Sequence, residues 1–172
     1  YSWGANTRGQ LGDGTTTARV DPVAVKVDGL LRNKNITKLS TGEQQVMAIT
    51  SDGEVVSWGS NFYGSLGEGT LQFSNVPRPV YPGGALRGKT MIAVSVGRYF
   101  TVAVSSDGKL FAWGASSKGQ LNYGGYDTQQ ILPIEVDMNG PLSGKKIVEV
   151  SCGDSVTIVK DSEGFLYSWG ND

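Results

Sequence analysis

The sequence predicts an all-β chain of tandem four-stranded antiparallel blades, and three observations carry that expectation. A Trp-Gly pair recurs at Trp3, Trp58, Trp113 and Trp169, at spacings of 55, 55 and 56 residues, a length that suits one blade or one solenoid unit. Four short apolar runs recur in each period, bounded by Gly, Pro, Asp or Ser, as short strands between tight turns would be. No apolar spacing of helical period is sustained, so no helix is expected. The repeats run approximately over 3–57, 58–112 and 113–168, with a fourth starting at 169–172, a single array across residues 1–172.

The first run ends in the Trp: Glu54 to Trp58, Lys109 to Trp113 and Phe165 to Trp169. Strand alternation puts each Trp on one face with Tyr1, Val56, Phe111 or Tyr167, and the small Ser2, Ser57, Ala112 and Ser168 on the other. A large face opposite a small one lets blades stack and bury both sides. The loop that follows has glycines at Gly9, Gly64 and Gly119 and at Gly14, Gly69 and Gly124. Between them stand Gly12, Gly67 and Asn122; Asn is the commonest replacement for Gly at positive φ, so this position selects a backbone angle. Leu11, Leu66 and Leu121 are expected to tuck beneath the loop.

The second run starts at Pro22, Pro77 and Pro133, which suits outer strands, where a missing N–H costs no ladder bond. The third covers Ile36 to Gly42, Met91 to Gly97 and Ile147 to Gly153, with Lys34, Lys89 and Lys145 ahead of it as solvated edge blockers. The fourth, Val46 to Thr50 with its counterparts from Thr101 and Thr157, returns through Asp52-Gly53, Asp107-Gly108 and Glu163-Gly164 to the next Trp strand. Asp-Gly between apolar runs signals a hairpin, so consecutive strands pair as a meander.

Composition narrows the chemistry. Gly is 25 of 172 residues against a usual ~7%, and without a fixed period it belongs to turns. Net charge is -1, so no overall field draws nucleic acid or an anionic membrane. There is no His, hence no imidazole base, triad or imidazole ligand, and Cys152 alone allows no internal disulfide. Cys152 reads as a small strand residue; Asp13, Asp21 and Glu68 do not match a calcium loop; the glycine loops precede no helix that would cradle a phosphate. No cofactor, metal or catalytic residue is expected. No apolar run is long enough to span a bilayer, and the stretch from Tyr1 onward does not read as a signal peptide. Asn35-Ile36-Thr37 is a glycosylation acceptor triplet that weakly favours an extracellular setting.

Trp-Gly-x-Asn-x-x-Gly-Gln-Leu-Gly-x-Gly, Pro-x-x-Val, Ile-x-x-Val-Ser-x-Gly and Asp-Gly-x-Val-x-x-Trp-Gly, repeated over the whole chain, resemble the repeat of the regulator of chromosome condensation family. The resemblance implies four-stranded blades of a β-propeller, a ring that the family typically closes with seven; about three blades are present here. The family often has a His three residues after the third-run Gly, where this chain has Gln45, Phe100 and Val156, which weighs against the chromatin and GTPase-exchange branch. Both ends fall at the same point of the repeat, so the expectation is a piece of a longer chain, with end-to-end assembly of copies as the alternative.

The functional expectation is a non-enzymatic protein-binding or assembly scaffold, with protein partners or further copies of itself. A guanine-nucleotide exchange factor and an end-to-end polymerising subunit are the alternatives. Binding residues are sought where the scaffold repeats and the residue type does not. That points to Glu43, Gln44 and Gln45, to Arg98, Tyr99 and Phe100, and to Asp154 and Ser155. Gly124 to Gln130, with the third repeat's extra residue, is a second candidate segment.

Overall fold

The computed structural model describes residues 1–171 apart from Asp28, Leu30 and Tyr126. Its strands are β1 (Ser2–Gly4), β2 (Arg19–Val23), β3 (Ile36–Thr41), β4 (Gln45–Thr50), β5 (Val55–Gly59), β6 (Ser74–Pro79), β7 (Met91–Val96), β8 (Phe100–Ser105), β9 (Leu110–Ala115), β10 (Gln129–Glu135), β11 (Ile147–Cys152), β12 (Val156–Asp161) and β13 (Leu166–Gly170). Among the described residues no α-helix forms; three 3-10 turns, at Phe62–Gly64, Gly84–Leu86 and Gly140–Leu142, punctuate the loops.

Every pairing is antiparallel and every sheet is a meander. β3 to β6 and β7 to β10 are complete four-stranded blades, flanked by the two-stranded β1-β2 and the three-stranded β11-β12-β13. The chain is thus an all-β partial propeller of about three blades. A complete blade begins with the third run and ends with the second, so each stretch from Trp to Trp is shared between two sheets. The connections explain this phase. Tight turns such as Thr50 to Glu54, where the Gly53 amide donates to the Thr50 carbonyl (2.9 Å), keep strands in one sheet, whereas the longer link through Gly84–Leu86 crosses to the next.

The Trp strands seal the contacts between blades. Phe111 and Trp113 of β9 pack on Met47, Ile49 and Val55 of the preceding blade and on Leu66 of its loop, all buried. Val102 and Leu110, on the opposite face, cluster with Tyr167 and Trp169. The last three indoles also donate to the preceding loop at one register: Trp58 Nε1 to Gln10 O (3.0 Å), Trp113 Nε1 to Ser65 O and Trp169 Nε1 to Gln120 O (both 2.9 Å). A buried indole N–H needs such an acceptor. Gly12, Gly67 and Asn122 have φ of 67°, 68° and 45°. At Gly67 a Cβ would stand 2.7 Å from Trp113 Nε1, so closeness to the indole adds to the backbone angle.

The strands β6 and β10 lie at blade edges, as the prolines imply, but begin three to four residues earlier than the proline-start reading, at Ser74 and Gln129. Pro77 and Pro133 therefore sit inside the strands. Register shifts between Ser57 and Gly59 and between Gln130 and Ile134 accommodate them. At the other edge the inner strands meet. The Val96 amide donates to Ser40 Oγ (3.1 Å) and the Cys152 amide to Ser95 Oγ (2.9 Å), so the repeated serine ties each inner strand to the next. Burial pushes the Cys152 thiol up to about 12, leaving it a protonated packing group.

The three lysines are not free edge blockers. Lys34 pairs with Asp52 (2.8 Å), Lys89 with Asp107 (2.6 Å) and Lys145 with Glu163 (2.7 Å), clasping the hairpin turn of the same blade. Hydrogen bonds first from Lys89 and then from Ser105 hold Asp107 down to about 2. Asp52 is held at about 2 by Lys34 and Thr50 in the same way.

Candidate functional site

Two kinds of turn meet at one end of the blades: the turn after each inner strand, and the loop after each Trp strand. Their backbones are joined at one register, Ser60 N to Gln44 O (2.8 Å), Ala115 N to Tyr99 O (2.9 Å) and Asn171 N to Ser155 O (3.1 Å). Within the first two Trp loops a buried Asn does the folding, and in the third Ser116 stands at that register and donates to Asp127 O. Asn61 Oδ1 accepts from Leu66 N (2.9 Å) while its Nδ2 donates to the carbonyls of Thr70 (2.9 Å) and Gln72 (3.0 Å); Asn6 repeats the pattern. Leu11, Leu66 and Leu121 are buried below. The loops are thus rigid mounts for whatever side chains project from them.

At the axis three turns bring Glu43, Arg98 and Asp154 into one line. Arg98 Nε reaches Glu43 Oε2 (3.2 Å) and Nη1 reaches Asp154 Oδ1 (3.6 Å), so one guanidinium spans three blades. These groups rim an open depression of about 410 Å³ floored by Val96, Gly97 and Cys152. The Tyr99 phenol first, then the two carboxylates, raise the Arg98 pKa, so it remains a cation. The guanidinium lies 5.2 Å from the Tyr99 ring centre. Tyr99 in turn meets Phe62 edge-on (5.9 Å) and Tyr63 (5.5 Å), and Arg8 stands over the Phe62 ring at 5.1 Å.

Among the positions expected to bind, Glu43, Arg98 and Asp154 are exposed and Gln44, Tyr99 and Ser155 half-buried at this end. Gln45 and Phe100 do not belong with them. Gln45 is 1% exposed and its Nε2 donates to the carbonyls of Gly97 (3.2 Å) and Arg98 (3.0 Å), so it props the neighbouring blade's turn from beneath. Phe100 is wholly buried below Gly97, where a Cβ would strike its ring. Both open the fourth run, which begins one residue earlier than its apolar pattern suggests, and strand alternation then turns them inward.

The segment from Gly124 to Gln130 turns back on its own loop, with Ser116 N donating to Thr128 O (3.0 Å) and Gln130 Nε2 to Asp127 Oδ2 (3.1 Å); Tyr126 lies outside the described residues, as does Asp172 of the fourth Trp-Gly copy. Asn35 is exposed at the far end of β3, where Thr37 Oγ1 donates to Ile49 O (3.1 Å). Asp13 is an ion-pair partner of Arg19 (2.8 Å); burial pushes its pKa up, but hydrogen bonds from Thr15 and Arg19 outweigh this and bring it to about 2. Phe62, Tyr63 and Arg8 went unread in the sequence. Their signal is the variable pair in Trp-Gly-x-Asn-x-x-Gly: Thr7-Arg8, Phe62-Tyr63 and Ser117-Lys118.

The model of the regulator of chromosome condensation (RCC1) repeat matches residues 1–49, 52–104 and 107–159. The chain belongs to the RCC1 repeat family. A second RCC1 repeat model matches 36–65 and 91–120, beginning where β3 and β7 begin. Relatives include the E3 ubiquitin-protein ligase HERC2 of Mus musculus, 30% identical across 100% of this chain and 3% of that protein. The ultraviolet-B receptor UVR8 of Arabidopsis thaliana is 35% identical over 99% of this chain and 36% of its own length. The chain thus spans only a minor part of these RCC1 relatives. Human WBSCR16 superposes with a TM-score of 0.84 at 28% identity, covering 98% of this chain and 41% of that one. Yeast RCC1 (Prp20), in its structure with Kap60, gives 0.74 at 21% identity, over 98% of this chain and 38% of that one, a likeness of fold. An RCC1-like propeller domain of this kind fits a protein-interaction module.

Proposed function

We propose that this chain is a non-enzymatic protein-binding module whose docking face is the end of the blades carrying Glu43, Gln44, Arg98, Tyr99, Asp154 and Ser155. One observation carries the reading: identical turns on three successive blades present an acid, a base and an acid side by side, on a backbone that repeats. Invariant scaffold under varied, exposed side chains is the arrangement by which repeat folds acquire partners. The lack of any His, and a lone thiol held protonated, supports binding over catalysis. The exchange-factor and polymer readings have no such feature of their own.

A photo-crosslinking residue at position 43, compared with one at position 163 in the hairpin turns, tests this in cells that make the protein. Discrete protein adducts from position 43 alone are expected. Equal labelling from both positions, or accelerated nucleotide release from a small GTPase, would displace the proposal.

A further inference from the structure

Phe62, Tyr63 and Tyr99 form one cluster of touching rings contributed by two different loops, and two of the rings are open to solvent, Phe62 at 45% and Tyr63 at 46% exposure. Nothing in the repeat requires these side chains: at the registers of Phe62 and Tyr63 the first repeat has Thr7 and Arg8 and the third has Ser117 and Lys118. The second loop is also bent differently. Tyr63 lies in the left-handed region at φ 58° and ψ 18°, whereas neither Arg8 nor Lys118 has positive φ. A bulky residue held there is strained, and such strain persists only where the surrounding structure enforces it, commonly at functional sites. Here it turns the Tyr63 ring onto Tyr99.

The charges around the rings are uneven. Arg98 is committed, with Glu43 and Asp154 on its far side and Tyr99 under it. Arg8 lies over Phe62 and has no ion-pair partner among the described residues, its nearest acidic loop neighbour, Asp13, being held by Arg19. The cluster therefore offers exposed apolar rings beside one guanidinium with no ion-pair partner among the described residues. Aromatic and Arg side chains so placed are the usual anchors of protein interfaces, and a stacked guanidinium keeps its N–H fork free for a carboxylate.

Resting on the docking face proposed above, we infer that the Phe62–Tyr63–Tyr99 cluster with Arg8 is the anchoring site for an acidic segment of a partner protein, in which an Asp or Glu pairs with Arg8 and an adjoining aromatic or large aliphatic side chain packs on the rings. A basic segment would meet the unpaired Arg8 as a like charge and is disfavoured at this spot.

Panning a phage-displayed library of random dodecapeptides on the chain, then titrating the enriched peptides by fluorescence anisotropy, tests this. Enriched peptides should join Asp or Glu to Trp, Phe, Tyr or Leu. They should bind roughly tenfold more weakly to Arg8→Glu, a change at an exposed residue, and to the Phe62→Ala/Tyr99→Ala double variant, both checked for an unchanged melting profile. Added salt should weaken binding to the wild type more than to Arg8→Glu. No enrichment, enrichment of basic or uncharged peptides, equal binding by both variants, or self-association of the chain abolished by the double variant would overturn the inference. Crosslinks from position 43 that persist after any of these results would leave the docking face standing and remove only this site from it.

Discussion

Tyr63 sets stability against recognition within one residue. Left-handed geometry at a non-Gly residue costs roughly 1 kcal/mol, and Tyr63→Gly removes that cost while deleting the ring. Chemical denaturation should find Tyr63→Gly at least as stable as the parent, with loss of whatever affinity the ring supplies; a clear destabilisation would show the ring to be structural. Gln45 makes the opposite case. Gln45→Leu would strand the buried Gly97 carbonyl and remove the bond to the Arg98 carbonyl that its amide also serves, a loss of about 1–3 kcal/mol, measurable as a lower denaturation midpoint. At this scale the sequence was legible wherever a repeated register isolates a constraint: the Gly12, Gly67 and Asn122 series names a backbone angle without any coordinates. It was not legible for Gln45, because a polar residue at the start of a strand looks the same whether it faces water or a carbonyl of the next blade.

Among the elements, the Trp strand does the joining and the hairpin does the clasping. Trp113→Phe keeps most of the buried ring but loses the bond to Ser65 O, leaving that carbonyl to Thr101 alone; a destabilisation of about 1–2 kcal/mol is expected in thermal or denaturant melts. The hairpin clasps respond to acid. In the folded chain Asp52 and Asp107 sit at about 2, below the ordinary 3.8. The unfolded chain therefore takes up protons first, and the stability these groups contribute is present above 3.8 and lost as pH falls toward 2. Denaturation midpoints measured through that window should decline, and Asp107→Asn should lessen the decline. The strands themselves were readable from period-two alternation and Asp-Gly turns. The clasps were not, since Lys89 and Asp107 are joined by a sheet register and not by proximity along the chain. The edge strands were placed at the correct side of the blade by their prolines, yet started late, because a bulge admits Pro77 and Pro133 well inside a ladder.

For the molecule as a whole, the repeated serine, the indole bonds and the turns at the axis join each blade to the next. The arrangement of Glu43, Arg98 and Asp154 illustrates what a sequence withholds: their equivalence was visible as alignment, whereas their meeting depends on how far each blade rotates past the last. The offset between sequence period and sheet has a mechanical corollary. Any one copy of the motif is woven into two sheets at once, so none can detach without tearing strands from its neighbours. Pulled from its ends, such a chain should resist as one body and then give way in large steps, instead of shedding units of 55 residues one after another like beads from a thread.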